Sequence, residues 1–260
     1  MVLPIADEPI KHVTSPVVTW LLIVANVAVF GLLQGFGFDD DFTFAFATVP
    51  REIVTGRDLV TPNRQVEDPW TGQMLTAPGL KPTPISVYLT LVTGIFMHGS
   101  VFHLLGNMLF LWIFGDDVEE AIGHGRYLIF YLMCGIIASL AHVFTVVGVE
   151  GVDSEAAAVP TLGASGAISG VLAGYVLQFP QRRVLVLVIR ILVWVPAYVA
   201  IGIWFAFQLI NGLGVLGEGS QHSSVAYAAH IGGFLAGAAL IKPFALGIEA
   251  PPEPAVTEST

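Results

Sequence analysis

The stretch "TLGASGAISGVLAG", residues 161–174, carries the most informative pattern in this chain. It places Ser165 between small residues at the start of an apolar segment and repeats glycine at every fourth position, at Gly166, Gly170 and Gly174. Small residues four apart form one stripe along a helix and let a second helix approach closely in a membrane. A hydroxyl in this place either packs or acts as a nucleophile, and the second role requires a base within reach.

The composition predicts a protein that crosses the bilayer several times. Of its 260 residues, 55% are hydrophobic and 12% are charged, whereas an average soluble domain has about 25% charged residues. Segments of about 20 apolar residues are long enough to cross the hydrocarbon core. Six such segments are found, at residues 17–38, 101–118, 127–149, 162–179, 191–213 and 224–241. The predicted fold class is therefore an all-α polytopic membrane protein, a bundle of six transmembrane helices.

Charge and cysteine content exclude several classes of protein. The formal net charge is −10, and a nucleic-acid-binding protein would show a basic patch instead. The single cysteine, Cys134, excludes a disulfide framework and a thiolate metal site. The first residues, "MVLPIADEPIKHVTSP", lack the basic region and the cleavage site of a signal peptide, so the first apolar segment is interpreted as a retained span.

Lysine and arginine positions predict the orientation, because short loops rich in these residues stay in the cytoplasm. The two short loops after the third and fifth spans hold none, and the long polar loop at residues 39–84, which counts for less, holds four. The segments on the side of the N-terminus hold six, Lys11, Arg126, Arg182, Arg183, Arg190 and Lys242. We therefore predict cytoplasmic termini in a prokaryotic-type plasma membrane. The predicted parts are a cytoplasmic segment (1–16), the six-helix domain (17–242) and a disordered tail (243–260).

Polar residues inside spans are costly and indicate function by default. The candidates in or beside the apolar segments are His98, His103, Asn107, His142, Ser165 and His230. In the predicted topology the second, fourth and sixth spans all begin on the outer side. Four of these side chains, on His103, Asn107, Ser165 and His230, are therefore expected at one depth in the membrane.

The sixth span repeats the small-residue pattern, with Ala229, Gly233 and Gly237 four residues apart. If the two stripes face each other, Ser165 at the start of one meets His230 at the start of the other. A serine hydroxyl within hydrogen-bond reach of an imidazole is the arrangement of an activated nucleophile.

Two further side chains suit the charge that such a reaction develops. His103 and Asn107 are four residues apart and share one face of a helix. Both can donate hydrogen bonds to an oxyanion, and the backbone N–H of Ser165 near a helix N-terminus adds a third donor.

Four motifs together resemble those of the rhomboid intramembrane serine proteases. They are "HGSVFHLLGN" (98–107), "GDDVEEAIG" (115–123), "GASG" (163–166) and "AHIGGFLAG" (229–237), and the resemblance extends over residues 16–242. It implies a six-helix bundle with a water-filled cavity open to the outer side. It also implies an endopeptidase that cleaves transmembrane segments of other membrane proteins near that face, with no metal or cofactor.

The resemblance implies roles for individual residues. Ser165 would be the nucleophile and His230 the general base, in a dyad that has no acid. His103 and Asn107 would line the oxyanion hole. Supporting roles fall to His98, Gly163, Gly166 and Glu119, and helix packing to Gly170, Gly174, Gly233 and Gly237. Glu119 would brace the inner ends of the helices, and its position also allows a pair with Arg126.

Two features depart from the family pattern. Many members carry a tyrosine four residues after the nucleophile, stacked on the catalytic imidazole, where this chain has Ser169. A Trp-Arg pair of the first loop in some bacterial members is absent. The orientation of the His230 ring and the placement of the first loop are therefore left open.

Other hydrolase classes lack their motifs here. A soluble hydrolase elbow needs G-x-S-x-G, and Ala167 occupies its last position. An intramembrane metalloprotease needs H-E-x-x-H, and no histidine is followed by glutamate. An aspartyl intramembrane protease needs G-x-G-D, and Ile113 occupies the position of its first glycine. The alternatives that stay open are a catalytically inactive rhomboid-like protein that binds client transmembrane helices and, more distantly, a small transporter.

Overall fold

Helices dominate the computed structural model, which describes residues 2–8, 14–67, 72–212 and 227–248. The helices are α1 (Val17–Ala28), α2 (Asp40–Phe46), α3 (Pro50–Thr55), α4 (Thr90–Thr93), α5 (Val101–Ile122), α6 (His124–Glu150), α7 (Ser165–Gln178), α8 (Ala197–Gly212) and α9 (Tyr227–Ala245). The strands are β1 (Val2–Asp7), β2 (Arg64–Glu67), β3 (Met74–Ala77), β4 (Arg183–Val188) and β5 (Ile191–Pro196).

Several of these helices are apolar enough to cross a membrane. Within the described residues, α5, α6 and α9 also have the necessary length. Helix α1 with its π-helical continuation covers Val17–Leu33. This segment and α8 are apolar but shorter than those three helices. This architecture is that of a polytopic, mainly α-helical membrane protein, as predicted, and the count of six spans stays a prediction.

Helix α7 lies at the centre of the bundle and packs against α5, α6 and α9. Ten consecutive residues of α7, from Gly166 to Tyr175, are buried. A helix that is apolar on all sides and surrounded by other helices has no solvent-facing stripe. The surrounding helices therefore fix the position of the N-terminus of α7.

The contact between α7 and α9 is backbone to backbone. A Cβ atom built on Gly233 would collide with the carbonyl oxygen of Gly166, and one on Gly237 would collide with the backbone of Gly170. Glycine at these positions removes the side chain that would hold the two helices apart. Gly174 is less tightly enclosed and would meet the side chain of Ile241 at 3.1 Å.

The polar loop predicted at residues 39–84 contains structure of its own. It holds α2, α3 and the antiparallel hairpin of β2 and β3. Thr48 exchanges both backbone hydrogen bonds with Thr161, at 3.0 and 2.8 Å. The Arg51 guanidinium donates to the carbonyl groups of Val152 and Ser154 at 2.8 Å each. The loop is thus fixed to the segment that leads into α7.

A three-stranded sheet at the other end of α7 corrects the prediction for residues 181–196. The basic turn expected at "QRRVLVLVIR" is instead strand β4, which pairs with β1 on one side and β5 on the other. Val184 and Val186 are buried while Leu185 between them is only partly buried, the period of a strand with one covered face. The fifth apolar helix therefore begins at Ala197, not at 191 as predicted. The segment 1–16, expected only as a cytoplasmic extension, supplies β1.

Glu119 holds the start of α1 against the end of α5. Its carboxylate accepts hydrogen bonds from the backbone N–H groups of Val18 (2.8 Å) and Thr19 (2.7 Å) and from the Thr19 hydroxyl (2.7 Å). Its other neighbour is His124, whose Nδ1 lies 2.5 Å away. The suggested pair with Arg126 is wrong, because that guanidinium donates to two carbonyl groups at the end of α9. Helix α9 also continues to Ala245, past the predicted boundary, and residues 249–260 of the predicted tail lie outside the described residues.

A buried charged cluster joins the sheet to the helices. The Arg182 guanidinium lies 2.5 Å from Asp117 of α5, and both side chains are almost completely buried. The same guanidinium sits 4.0 Å from the centre of the Phe179 ring. The Tyr175 hydroxyl of α7 donates to the carboxyl group of Asp7 in β1 at 3.0 Å. These contacts fix the end of α7 that lies opposite Ser165.

We predict that Gly237→Ala destabilises the protein by about 1–3 kcal/mol, the range for overpacking a well-filled interior. The added methyl group cannot fit against the Gly170 backbone, so α7 and α9 must move apart. The measurement is reversible unfolding of the detergent-purified protein. Gly202→Ala is the matched control, because nothing lies within 4 Å of a Cβ at that helical glycine. Equal stability of the two variants would contradict the close contact.

We also predict that stability falls as pH rises from about 4 to about 8. Burial, together with the neighbouring Asp117 carboxyl, raises the pKa of Asp7 from 3.8 to about 8. An acid with a higher pKa in the folded chain binds more protons when folded. The stability that it contributes is therefore complete below the unfolded pKa and lost as pH passes the folded pKa.

The measurement is the midpoint of thermal unfolding against pH. Asp7→Asn should remove most of this slope, since an amide does not titrate. Asp153→Asn, on an exposed loop residue, should leave the slope unchanged. A slope that survives in Asp7→Asn would show that other groups cause it.

Candidate active site

Ser165 and His230 meet where α7 and α9 begin. The Oγ atom of Ser165 lies 2.8 Å from Nε2 of His230, which is hydrogen-bond distance. Both side chains are half-buried. The two residues are 65 positions apart in sequence. They lie on two helices that touch through their glycines.

The segment before Ser165 is held in an unusual conformation. Gly163 has a φ of +126°, which a residue with a side chain rarely adopts. Its backbone N–H donates to the carbonyl of Gly94 at 2.8 Å, and two residues earlier Thr161 pairs with Thr48. These bonds to Gly94, which follows α4, and to Thr48 of the first loop set the direction in which the chain enters α7. Ser165 is the first residue of that helix.

The ring of His103 packs directly against Gly163. A Cβ on that glycine would lie 2.8 Å from Cε1 and 3.0 Å from Nε2 of His103, and 3.8 Å from the Ser165 hydroxyl. The backbone N–H of Gly99 points at Nδ1 of His103 at 3.4 Å. Because that N–H can only donate, Nδ1 is the acceptor and the ring proton is on Nε2, the edge that faces Gly163. His103 therefore offers a donor beside Ser165.

Asn107 joins the site through His98. Its side-chain nitrogen lies 2.9 Å from Nε2 of His98, which is fully buried. The backbone of His98 is in turn held by the Gln34 carboxamide, which accepts from its N–H at 2.9 Å and donates to its carbonyl at 3.0 Å. The rings of His98 and His103 are in edge contact, with centroids 5.1 Å apart. His98 thus supports both neighbours.

Two residues of α8 complete the surroundings of His230. The Oε1 atom of Gln208 lies 2.9 Å from Nδ1 of the imidazole, and the Trp204 ring lies beside it with centroids 6.0 Å apart. Ser169, where the family often has a tyrosine, contributes nothing to the ring, because its hydroxyl donates to the Ser165 carbonyl at 2.6 Å. Sequence analysis singled out neither Gln208 nor Gln34. Both are polar residues in apolar segments, the signal that identified the histidines.

A small cavity of about 30 Å³ adjoins Ser165. Polar residues from the first loop, α6 and the segment before α7 contribute to its wall, among them Thr48, Ser139 and Thr161. A volume of about 10–15 Å³ is enough for one water molecule. The nucleophile candidate therefore borders a space that a water molecule could enter.

The predicted site residues fall into three groups. Ser165, His230, His103, His98, Asn107, Gly163 and Gly166 lie at the end of the bundle where α7 and α9 begin. Glu119 lies at the opposite end, with the N-terminus of α1. Gly170, Gly174, Gly233 and Gly237 run between the two ends along α7 and α9.

Comparison with known proteins identifies the family. A family model described as the rhomboid domain matches residues 86–245. This range includes α5, α6, α7, α8 and α9. It also includes every candidate side chain discussed above except those of Gln34 and Thr48.

Three relatives illustrate the similarity. Rhomboid protein 1, mitochondrial, of Saccharomyces cerevisiae is 31% identical over 149 residues, which are 57% of this chain and 40% of that protein. Rhomboid protease GluP of Bacillus subtilis is 34% identical over 152 residues, 58% of this chain and 25% of the relative. The human presenilin-associated rhomboid-like protein, mitochondrial, is 28% identical over 142 residues, 55% and 34% of the two chains. The chain thus spans between a quarter and two fifths of these relatives.

We predict strong coupling between His98 and Asn107. His98→Leu or Asn107→Leu alone leaves a buried polar partner unsatisfied and should destabilise the protein by about 1–3 kcal/mol. The double variant should cost less than the sum, with a coupling of about 0.5–3 kcal/mol in unfolding experiments. His98→Leu combined with Thr145→Val, an exposed position on α6, should be additive. Additivity of the first pair would argue against the hydrogen bond.

Proposed function

The chain belongs to the rhomboid family, and from this premise we propose that it is an intramembrane serine endopeptidase that cleaves transmembrane segments of other membrane proteins. In this proposal Ser165 is the nucleophile and His230 is the general base. The observation that carries it is the 2.8 Å separation between Oγ and Nε2. The relative GluP bears the name of a protease, which supports the same reaction class.

The chemistry follows from this pair. His230 accepts the hydroxyl proton of Ser165 while the oxygen attacks the scissile carbonyl. The protonated ring then donates that proton to the leaving amine, which leaves an acyl-enzyme. Water attacks the ester with His230 again as base, and Ser165 is regenerated. The cavity beside Ser165 supports this second half of the cycle, because it is a place for water within a largely apolar protein.

The tetrahedral intermediate carries negative charge on the former carbonyl oxygen. The backbone N–H of Ser165 has no partner within α7, because the first N–H groups of a helix have no carbonyl to bond. The Nε2 atom of His103 lies on the ring edge that packs against Gly163, two residues before Ser165. We propose that these two donors, with Asn107 positioned by His98, form the oxyanion hole. Loss of one such donor commonly lowers kcat by about 10²–10³.

The length of α7 supports cleavage below the membrane surface. Its 14 residues cover about 21 Å at 1.5 Å per residue, whereas the hydrocarbon core is about 30 Å thick. When one end of α7 lies near one membrane surface, Ser165 at the other end lies within the bilayer. With cytoplasmic termini, as the Lys and Arg distribution predicts, the site faces the outer side of a prokaryotic-type plasma membrane.

The substrate proposal rests on backbone accessibility. A transmembrane helix keeps its carbonyl groups in internal hydrogen bonds, so the scissile bond is reachable only after local unwinding. We expect substrates with helix-breaking or polar residues near their outer ends and a small residue before the cleaved bond. The partners are thus transmembrane proteins and the lipid bilayer.

We predict that the purified wild-type protein reacts with a fluorophosphonate probe and cleaves a reporter transmembrane substrate. Ser165→Ala should abolish labelling. Both Ser165→Ala and His230→Ala should lower kcat by at least about 10³-fold, since nucleophile and base act as a unit. His103→Ala and Asn107→Ala should lose less. Ser86→Ala, an exposed serine whose side chain caps no helix, is the matched control and should behave as wild type.

Two outcomes would contradict the proposal. In the first, the folded wild-type protein neither reacts with the probe nor cleaves the reporter, but still binds the reporter in detergent. This result would favour the alternative that the chain is an inactive rhomboid-like protein that binds client helices. Full activity of Ser165→Ala would show that another residue is the nucleophile. Circular dichroism and gel filtration of each variant establish that it is folded.

A further inference from the structure

The imidazole of His230 is contacted on three sides. Nε2 faces Ser165, Nδ1 faces the Oε1 atom of Gln208 at 2.9 Å, and the ring lies beside Trp204. Gln208 and Trp204 are four residues apart on α8, so they project from one face of that helix. Gln208 is 5% exposed, and its bond to the ring therefore has little competition from water.

The direction of this hydrogen bond decides which ring nitrogen carries the proton. A carboxamide oxygen only accepts, so Nδ1 must be the N–H and Nε2 must hold the free electron pair. This is the tautomer that a general base needs, because Nε2 is the atom that faces the hydroxyl of Ser165. The other tautomer would point an N–H at the serine and could not take its proton.

No carboxylate performs this task in the part of the chain that the structure describes. The titratable groups that act on His230 are two further histidines, His103 of α5 and His142 of α6. In serine proteases with a triad, an acid bonded to the second ring nitrogen orients the base. Here the corresponding ring nitrogen, Nδ1, is bonded to Gln208, which carries no charge.

We propose that Gln208 is a positioning residue, the neutral third member of the site, which holds His230 in the tautomer and orientation that let it act as base. This inference rests on the proposed protease function. It also makes the activity depend on how α8 docks against α9. The stacking of Phe205 on Phe234, with centroids 4.1 Å apart, holds the two helices together beside the site.

The first test is kinetic. Gln208→Leu keeps the apolar volume and removes the acceptor, so kcat should fall about 10- to 100-fold with KM unchanged. That loss is smaller than the roughly 10⁴-fold effect of holding such a histidine in the wrong tautomer. Asn211→Leu is the matched control, because Asn211 lies on the same helix and its amide donates to the Phe207 carbonyl. Its kcat should match that of the wild type.

The conservative variant Gln208→Glu separates orientation from packing. It restores an oxygen at Nδ1, so cleavage should recover relative to Gln208→Leu. A carboxylate there also favours the protonated ring, which cannot act as base, so the acid limb of the kcat/KM profile should move to higher pH. A side chain that only filled space would leave the pH profile unchanged.

The second test does not depend on activity. Nitrogen-15 NMR of the histidine-labelled protein in detergent, with His230 assigned by the difference from His230→Ala, reports which ring nitrogen carries the proton. We expect Nδ1–H in the wild type and in Ser165→Ala, and a mixture of tautomers in Gln208→Leu.

The proton on Nε2 in the wild type, or kcat of Gln208→Leu within twofold of wild type, would overturn the inference. An inactive wild type with the proton on Nδ1 would instead count against the proposed function alone.

Discussion

The approach of α7 and α9 at backbone distance is the constraint on which the rest of the molecule depends. A serine and a histidine 65 residues apart have no local element to align them. They meet because Gly166 and Gly170 lie against Gly233 and Gly237, where a single methyl group would not fit. A displacement of about 1 Å can reduce a reaction rate by two orders of magnitude. In the proposed function, the glycine contact therefore determines the chemistry as well as the packing.

The position of α7 along its own axis is fixed at both ends. Before Ser165, Thr161 is bonded to Thr48 of the first loop and Gly163 to Gly94, which follows α4. At the far end, the Tyr175 hydroxyl bonds Asp7, and the pair of Arg182 and Asp117 is buried beside it. Buried ion pairs gain little stability over apolar packing, yet breaking one by removing a partner is costly. These contacts link the end of α7 to β1 and the segment after it to α5.

The ring of His230, the proposed base, is held by α8, for which no such role was predicted. The fifth apolar helix was predicted only as a span. In the structure Trp204 and Gln208 contact the imidazole, and Ser169 turns its hydroxyl back into α7. The side chains beside the imidazole thus come from α8. The absence of the family tyrosine was readable in the sequence, but the contacts from α8 were not.

The amino-acid sequence by itself determined the class of fold, the family and the short set of polar residues, because apolar length, glycine periodicity and motifs are local properties of the chain. It also predicted that Ser165 and His230 start parallel helices. Only the tertiary structure decided that β4 pairs with the N-terminal strand β1, that Glu119 holds α1 and that Arg126 bonds elsewhere. The physical reason is that these contacts join groups about 100 residues or more apart, and local pattern carries no information about which distant partner satisfies a buried donor or acceptor.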